Sequence, residues 1–164
     1  MRRELATLKA DVEDEMAKIG RLAENFASIE PRLDDPPEKV PFYDRAAIGY
    51  YLHGFYNGCE NIFVNIARFF ENDLDRENWP ADVLRRMRLE IPGFRPAVIE
   101  ADLYGMLEDL RRFRHVYRRT YDFELDWEKE RAVAKRLQAA ARLLREQVAA
   151  FLAKLDDLET NSSG

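Results

Sequence analysis

Sulfur chemistry is nearly absent from this sequence, in which Cys59 is the single cysteine. One thiol can form neither an internal disulfide nor a cysteine metal cluster, so a reducing compartment, the cytoplasm, is expected. Zinc-ligand spacings, a Walker-type phosphate loop, a dinucleotide fingerprint and a Gly-x-Ser-x-Gly elbow are all missing. The commonest metal, nucleotide and acyl-transfer chemistries lose their usual supports, and neither a metal nor a cofactor is expected. No apolar run reaches the roughly 20 residues that a membrane helix needs. Met1-Arg2-Arg3 opens like a secretory signal, but charged, amphipathic sequence follows it, so neither secretion nor a membrane span is expected. Strand alternation, hairpin turns and internal repeats are lacking too, which leaves helices as the periodic structure.

The 164 residues are 46% hydrophobic and 35% charged, enough for one hydrophobic core and too patterned for disorder. A single domain over residues 1–158 is predicted, with a polar, flexible tail at 159–164. The formal net charge of -5 argues against general nucleic-acid binding, but the charges are unevenly placed. Acid dominates residues 11–38. Base clusters at Arg85, Arg86, Arg88 and Arg95, and again at Arg111, Arg112, Arg114, Arg118 and Arg119, so a local anion site remains possible.

Leu5, Leu8, Val12, Met16, Ile19, Leu22, Phe26 and Ile29 recur at spacings of three and four and predict a one-faced helix from Arg3 to Ala27. Four prolines between Pro31 and Pro41 predict a long exposed loop. A second helix is expected from an Asp44 N-cap to Asn72, with an apolar arc so wide that burial on several sides is implied. Asn78-Trp79-Pro80 starts a short helix to Leu89, before a breaker at Pro92-Gly93. A fourth helix should cover Pro96 to Thr120. Asp126 should cap a fifth, in which Leu137, Ala141, Leu144, Val148, Phe151, Leu155 and Leu158 mark a lengthwise seam. The fold class is therefore all-α, an antiparallel bundle of four long helices and a short one.

Polar residues interrupt that packing pattern. On the fourth helix Leu103, Leu107, Leu110, Arg114, Tyr117 and Tyr121 follow one seam, so Arg114 stands where an apolar residue is expected. A guanidinium cannot lose its proton to escape burial and needs an acceptor, an anionic ligand or a cleft. Asn57, Glu60 and Asn61 interrupt the second helix in the same way, and Glu60 is the candidate ion-pair partner. Two readings stay open: a structural ion pair between helices, or a polar pocket that both residues line. Of the two histidines, His53 reads as a hydrogen-bonded core residue. His115 shares a face with Arg119 near Arg111 and Arg112, a cluster that repels itself unless an anion is present. RNA phosphate is a natural anion for arginines flanked by tyrosines such as Tyr117, which can stack on unpaired bases.

The segment Phe113-Arg114-His115-Val116-Tyr117-Arg118-Arg119-Thr120-Tyr121, followed by Phe123-Glu124-Leu125-Asp126, resembles the HepT-like branch of the HEPN superfamily. The resemblance extends through Tyr50-Tyr51-Leu52-His53-Gly54-Phe55-Tyr56 to Glu60, through Trp79 to Met87 and to Arg95-Pro96, most of the chain from Asp44 onward. It implies a dimeric helical bundle and a ribonuclease toxin of a toxin-antitoxin pair, with metal-independent cleavage at the dimer interface. It also implies a partner, a nucleotidyltransferase antitoxin that adenylylates the motif tyrosine. In that branch the motif is an arginine, a polar residue, three variable positions and a histidine, with a tyrosine two residues on. Arg114 fits the arginine, His115 the polar position and Tyr121 the modified tyrosine. Arg119 occupies the histidine position, and a permanently protonated arginine is no general base.

The expected catalytic set is Arg114, His115, Arg119 and Tyr121, with Arg111, Arg112, Tyr117 and Arg118 as RNA contacts. Three accounts of Arg119 stay open. His115 substitutes for the missing base, the chain is a silent RNA-binding or antitoxin-binding regulator, or the arginine is an inactivating replacement.

Overall fold

The computed structural model describes residues 2–71, 79–119 and 125–164. Among these, the helices are α1 (Arg2–Phe26), α2 (Phe42–Phe70), α3 (Trp79–Met87), α4 (Ala101–Arg119), α5 (Trp127–Ala134) and α6 (Leu137–Ser162). The fold is the all-α bundle that the periodicity predicts. None of the described helices is long and apolar enough to cross a membrane.

The 29-residue α2 is the centre of the bundle. Ile48, Leu52, Phe55, Tyr56, Cys59, Ile62, Phe63 and Ile66 are all buried, because the apolar residues cover most of the helix circumference. α1 lies against it closely enough that a Cβ placed on Gly58 would stand 2.7 Å from Ile19 Cγ1, and one on Gly54 would stand 3.0 Å from Leu22 Cδ1. Glycine is needed at position 58 because the helices meet there with no room for a methyl group. α4 packs on another side of α2 through Leu103, Leu107 and Leu110, and α6 contributes Leu137, Leu144, Val148, Phe151 and Leu155 to the same core.

Several boundaries differ from the predicted ones, each for a local reason. Pro41, not Asp44, precedes α2. Asp44 lies inside the first turn, where its carboxylate stands 3.4 Å from Arg32 Nε and favours the positive end of the helix. The proline-rich stretch is not a wholly exposed loop. It forms two 3-10 turns, Glu30–Asp34 and Pro37–Lys39, and buries Leu33 and Val40. Arg45 ties it down by donating to the carbonyls of Val40 (3.0 Å) and Pro37 (2.6 Å).

α4 starts at Ala101 rather than Pro96. The N–H groups of Val98 and Ile99 instead satisfy the Met87 carbonyl at the end of α3, at 2.8 and 3.1 Å. The expected fifth helix is divided at Lys135–Arg136, where the Arg136 N–H bonds to Val133 O three residues back. Asp126 does cap α5, accepting from the N–H groups of Glu128 and Lys129 at 3.0 and 3.3 Å. The expected tail is helical as far as Ser162, and its Thr160 and Ser162 hydroxyls donate to carbonyls four residues back.

The first basic cluster is structural. Arg95 is buried and donates to Glu71 Oε1 (2.6 Å) and to the carbonyls of Leu89, Pro96 and Arg86 at 3.0 to 3.1 Å. It clamps the turn around Gly93, whose φ of +82° suits glycine. Arg85 and Arg86 pair with Asp82, and Arg88 lies over the Tyr104 ring.

Candidate anion-binding site

The second basic cluster is arranged differently. Arg111, Arg114, His115, Arg118 and Arg119 lie three or four residues apart on α4 and so share one side of that helix. With Pro80 of α3 they line a pocket of about 240 Å³.

Arg114 is the anchored member. It is only 3% exposed, and both of its terminal nitrogens are held from behind: Nη2 donates to Glu60 Oε2 at 2.6 Å and Nη1 to Asn57 Oδ1 at 2.8 Å. Its plane also lies over the Tyr56 ring at 4.4 Å, a cation–π contact in a partly desolvated setting. Burial pushes the Tyr56 phenol up, with Glu60 adding to the effect, so Tyr56 is a neutral wall of the site. The ion-pair reading and the pocket reading of the sequence thus describe one arrangement, since Arg114 pairs with Glu60 and also lines the pocket.

The remaining predicted residues separate into groups. Arg111 is bound by Glu108 through Nε at 3.2 Å and Nη2 at 2.9 Å, and that carboxylate holds the arginine charge more firmly. Arg112 is exposed, 3.7 Å from Glu108, and does not line the pocket. Arg118 and Arg119 are exposed and have no carboxylate partner among the described residues. His115 is exposed on the pocket wall beside them. Tyr117 turns inward instead, stacking on Phe113 at 5.8 Å between ring centroids and lying 5.5 Å from His53. Tyr121 lies outside the described residues.

A polar ladder on α2 supports Arg114, and its register was only partly read from the sequence. His53, Asn57 and Glu60 follow one another at spacings of four and three, which puts all three on the side facing α4. Arg114 can only donate, so the Asn57 atom it meets must be the amide oxygen. The Asn57 Nδ2 then faces His53 Nε2 at 3.1 Å, which must accept. His53 is therefore the Nδ1–H tautomer, and its Nδ1 has no partner among the described residues. Burial, with the charges of Arg118 and Arg114 added, lowers the His53 pKa and favours the neutral ring. His53 is hydrogen-bonded as expected, though half-buried, and its partner Asn57 and the link through it to Arg114 were not read, although the four-and-three spacing was the available signal.

Glu130 on α5 is a second charge hidden near the site. It is buried, its Oε1 makes no hydrogen bond among the described residues, and a Cβ on Gly49 would stand 3.2 Å from that oxygen and 3.0 Å from Tyr117. Burial pushes its pKa up to about 7, against the pull of Arg45. No group of three or more His, Cys, Asp or Glu among the described residues is placed to hold a metal ion.

A protein-family model described as HepT-like protein matches residues 47–155, from the first turns of α2 almost to the end of α6. The chain belongs to the HepT-like family. A search of curated proteins found no match. The HepT-like match takes in α2, α3 and α4, and with them the entire polar ladder and the arginine pocket. It leaves out α1 and the two 3-10 turns.

Proposed function

We propose that this HepT-like chain is the toxin component of a toxin-antitoxin pair and that its arginine pocket grips RNA phosphate. The observation that carries this reading is the pocket itself, where four arginines and His115 converge and Arg114 is held in place from behind by Glu60 and Asn57. A guanidinium fixed in advance loses little freedom when it meets a phosphate, and Arg118 and Arg119 add charge at the rim.

Cleavage in such a site needs no metal. The RNA 2'-oxygen attacks the adjacent phosphorus, the bond to the 5'-oxygen breaks, and a 2',3'-cyclic phosphate and a 5'-hydroxyl result. The proton leaves the 2'-hydroxyl for a base and another is delivered to the departing 5'-oxygen. His115 is the imidazole on the pocket wall and the candidate for both transfers. Arg119 holds phosphate but cannot act as that base. In a dimer of the kind the HepT-like resemblance implies, a second copy of the pocket would stand opposite the first, and a nucleotidyltransferase antitoxin would modify Tyr121. An added anionic nucleotide there would compete with RNA for the arginines.

The position of Arg119 favours a second reading, a catalytically silent RNA-binding or antitoxin-binding regulator that keeps the pocket. An RNA cleavage assay on the chain as it stands, on His115→Ala and on Arg119→His separates the two. Cleavage lost in His115→Ala supports the substitute base. Activity that appears only in Arg119→His identifies a silent binder. Failure of all three proteins to bind RNA would remove the RNA site from both readings and leave only an antitoxin-binding regulator.

A further inference from the structure

Two tyrosines on α2 are left in water where a packed helix would usually bury them. Tyr50 is 66% exposed and Tyr43 is 83% exposed. They stand seven residues apart, two helical turns, and the next position in that register is Asn57, the partner of Arg114. The row Tyr43, Tyr50, Asn57 therefore runs along one side of α2 and ends at the residue that holds Arg114 in the pocket wall.

The direction of the neighbouring helix extends the row past the pocket mouth. Glu60 and Asn57 meet Arg114, while His53 and Gly49, earlier on α2, meet Tyr117, later on α4. The two helices are antiparallel, so Tyr50, next to Gly49, stands level with Tyr117 near the end of α4, and Tyr43, two turns earlier on α2, lies past the Arg119 end. Each ring meets its neighbour edge-to-face, Tyr50 with Tyr51 and Tyr43 with Phe42. Both tyrosines remain largely exposed despite these contacts.

We propose that Tyr50 and Tyr43 are a stacking track for unpaired bases leading out of the arginine pocket, which makes the site selective for single-stranded RNA. The inference rests on the reading of the pocket as an RNA site. A strand whose phosphate sits among Arg114, Arg118 and Arg119 passes these rings with its bases free to stack on them. A duplex keeps its bases stacked internally and gains only the phosphate contacts.

The test is binding of a short oligouridylate and of a blunt RNA duplex of equal length to the full chain, Tyr50→Ala, Tyr43→Ala and Tyr50→Phe. The oligouridylate should bind the unaltered chain more tightly than the duplex does. Each alanine variant should lose roughly tenfold of single-strand affinity, with duplex binding unchanged, and Tyr50→Phe should bind like the parent. Equal binding of both RNAs, with no effect of the alanine variants, overturns the track and leaves the phosphate pocket standing. If neither RNA binds, the reading of the pocket falls too. Light scattering on Tyr50→Ala covers the remaining occupant of this face. Conversion of a dimer to a monomer, with single-strand affinity per chain unaltered, would identify the tyrosines as a subunit contact and overturn the proposal.

Discussion

α1 and α4 both pack on α2, and they do so by opposite means. Along α1 the contact is apolar and close, with Ile19 against Gly58 and Leu22 against Gly54. Along α4 the contact carries charge, with Arg114 held by Glu60 and Asn57, and His53 beside Tyr117. The first arrangement gains stability from exclusion of water and complementary shape. The second desolvates ions whose mutual attraction does little more than offset the cost, so it contributes little net stability. Its benefit is the fixed position of one guanidinium at a pocket wall. The family match covers the polar contact on both of its helices but omits α1.

The largest effect expected from breaking this contrast comes from Arg114→Ala. It leaves Glu60 and Asn57 without their partner and should cost about 3 kcal/mol in urea unfolding. Replacing both members, Arg114→Met with Glu60→Met, should recover most of that loss while RNA binding stays absent. A double variant no more stable than the single one would mean that the ion pair is a net source of stability.

Glu130 should give the next largest effect, seen in its pH dependence. Its folded pKa of about 7 lies above the ordinary value of 4.5, so the folded state holds the proton more tightly. The contribution of this group to stability is then greatest below about pH 4.5 and is lost as pH rises through about 7, by about 3 kcal/mol in total. Glu130→Gln should remove that slope in thermal unfolding measured across the same range.

On the apolar side, Gly58→Ala should cost about 1 kcal/mol. The added methyl group meets the inner part of Ile19, and that overpacking outweighs the gain in helix propensity. Gly54→Ala meets only the tip of Leu22 and should change stability by less than about 0.5 kcal/mol. The smallest effect on folding belongs to Arg118→Ala and Arg119→Ala, within about 0.5 kcal/mol of the parent. Each should nevertheless lower the slope of log affinity against log salt for RNA by about 1.

The sequence showed the apolar contact and half of the polar one. Helical spacing marked the α1, α2 and α6 faces, and the same spacing exposed Arg114 as out of place and Glu60 as its counterpart. The orientation of Asn57 and the tautomer of His53 could not be read, because both follow from which atom faces Arg114 across two helices. Glu130 lies in the run Trp127-Glu128-Lys129-Glu130-Arg131, where alternating charges resemble a solvated surface and nothing local distinguishes the buried one. The break at Lys135–Arg136 has neither proline nor glycine to announce it. Val40 is buried where Arg45 ties the second proline-rich turn to the bundle, and Leu33 where Arg131 of α5 donates to its carbonyl, contacts made by residues beyond the stretch itself.

Gly58 follows Asn57 directly in the chain, yet the two face different helices. α2 therefore works as an axle with a bearing on one side and a latch on the other. A torque applied where α1 grips Gly58 turns the latch by the same angle, and at hydrogen-bond range a small rotation is enough to slip Asn57 off Arg114. The tight fit of α1, remote from the pocket, keeps Arg114 in register.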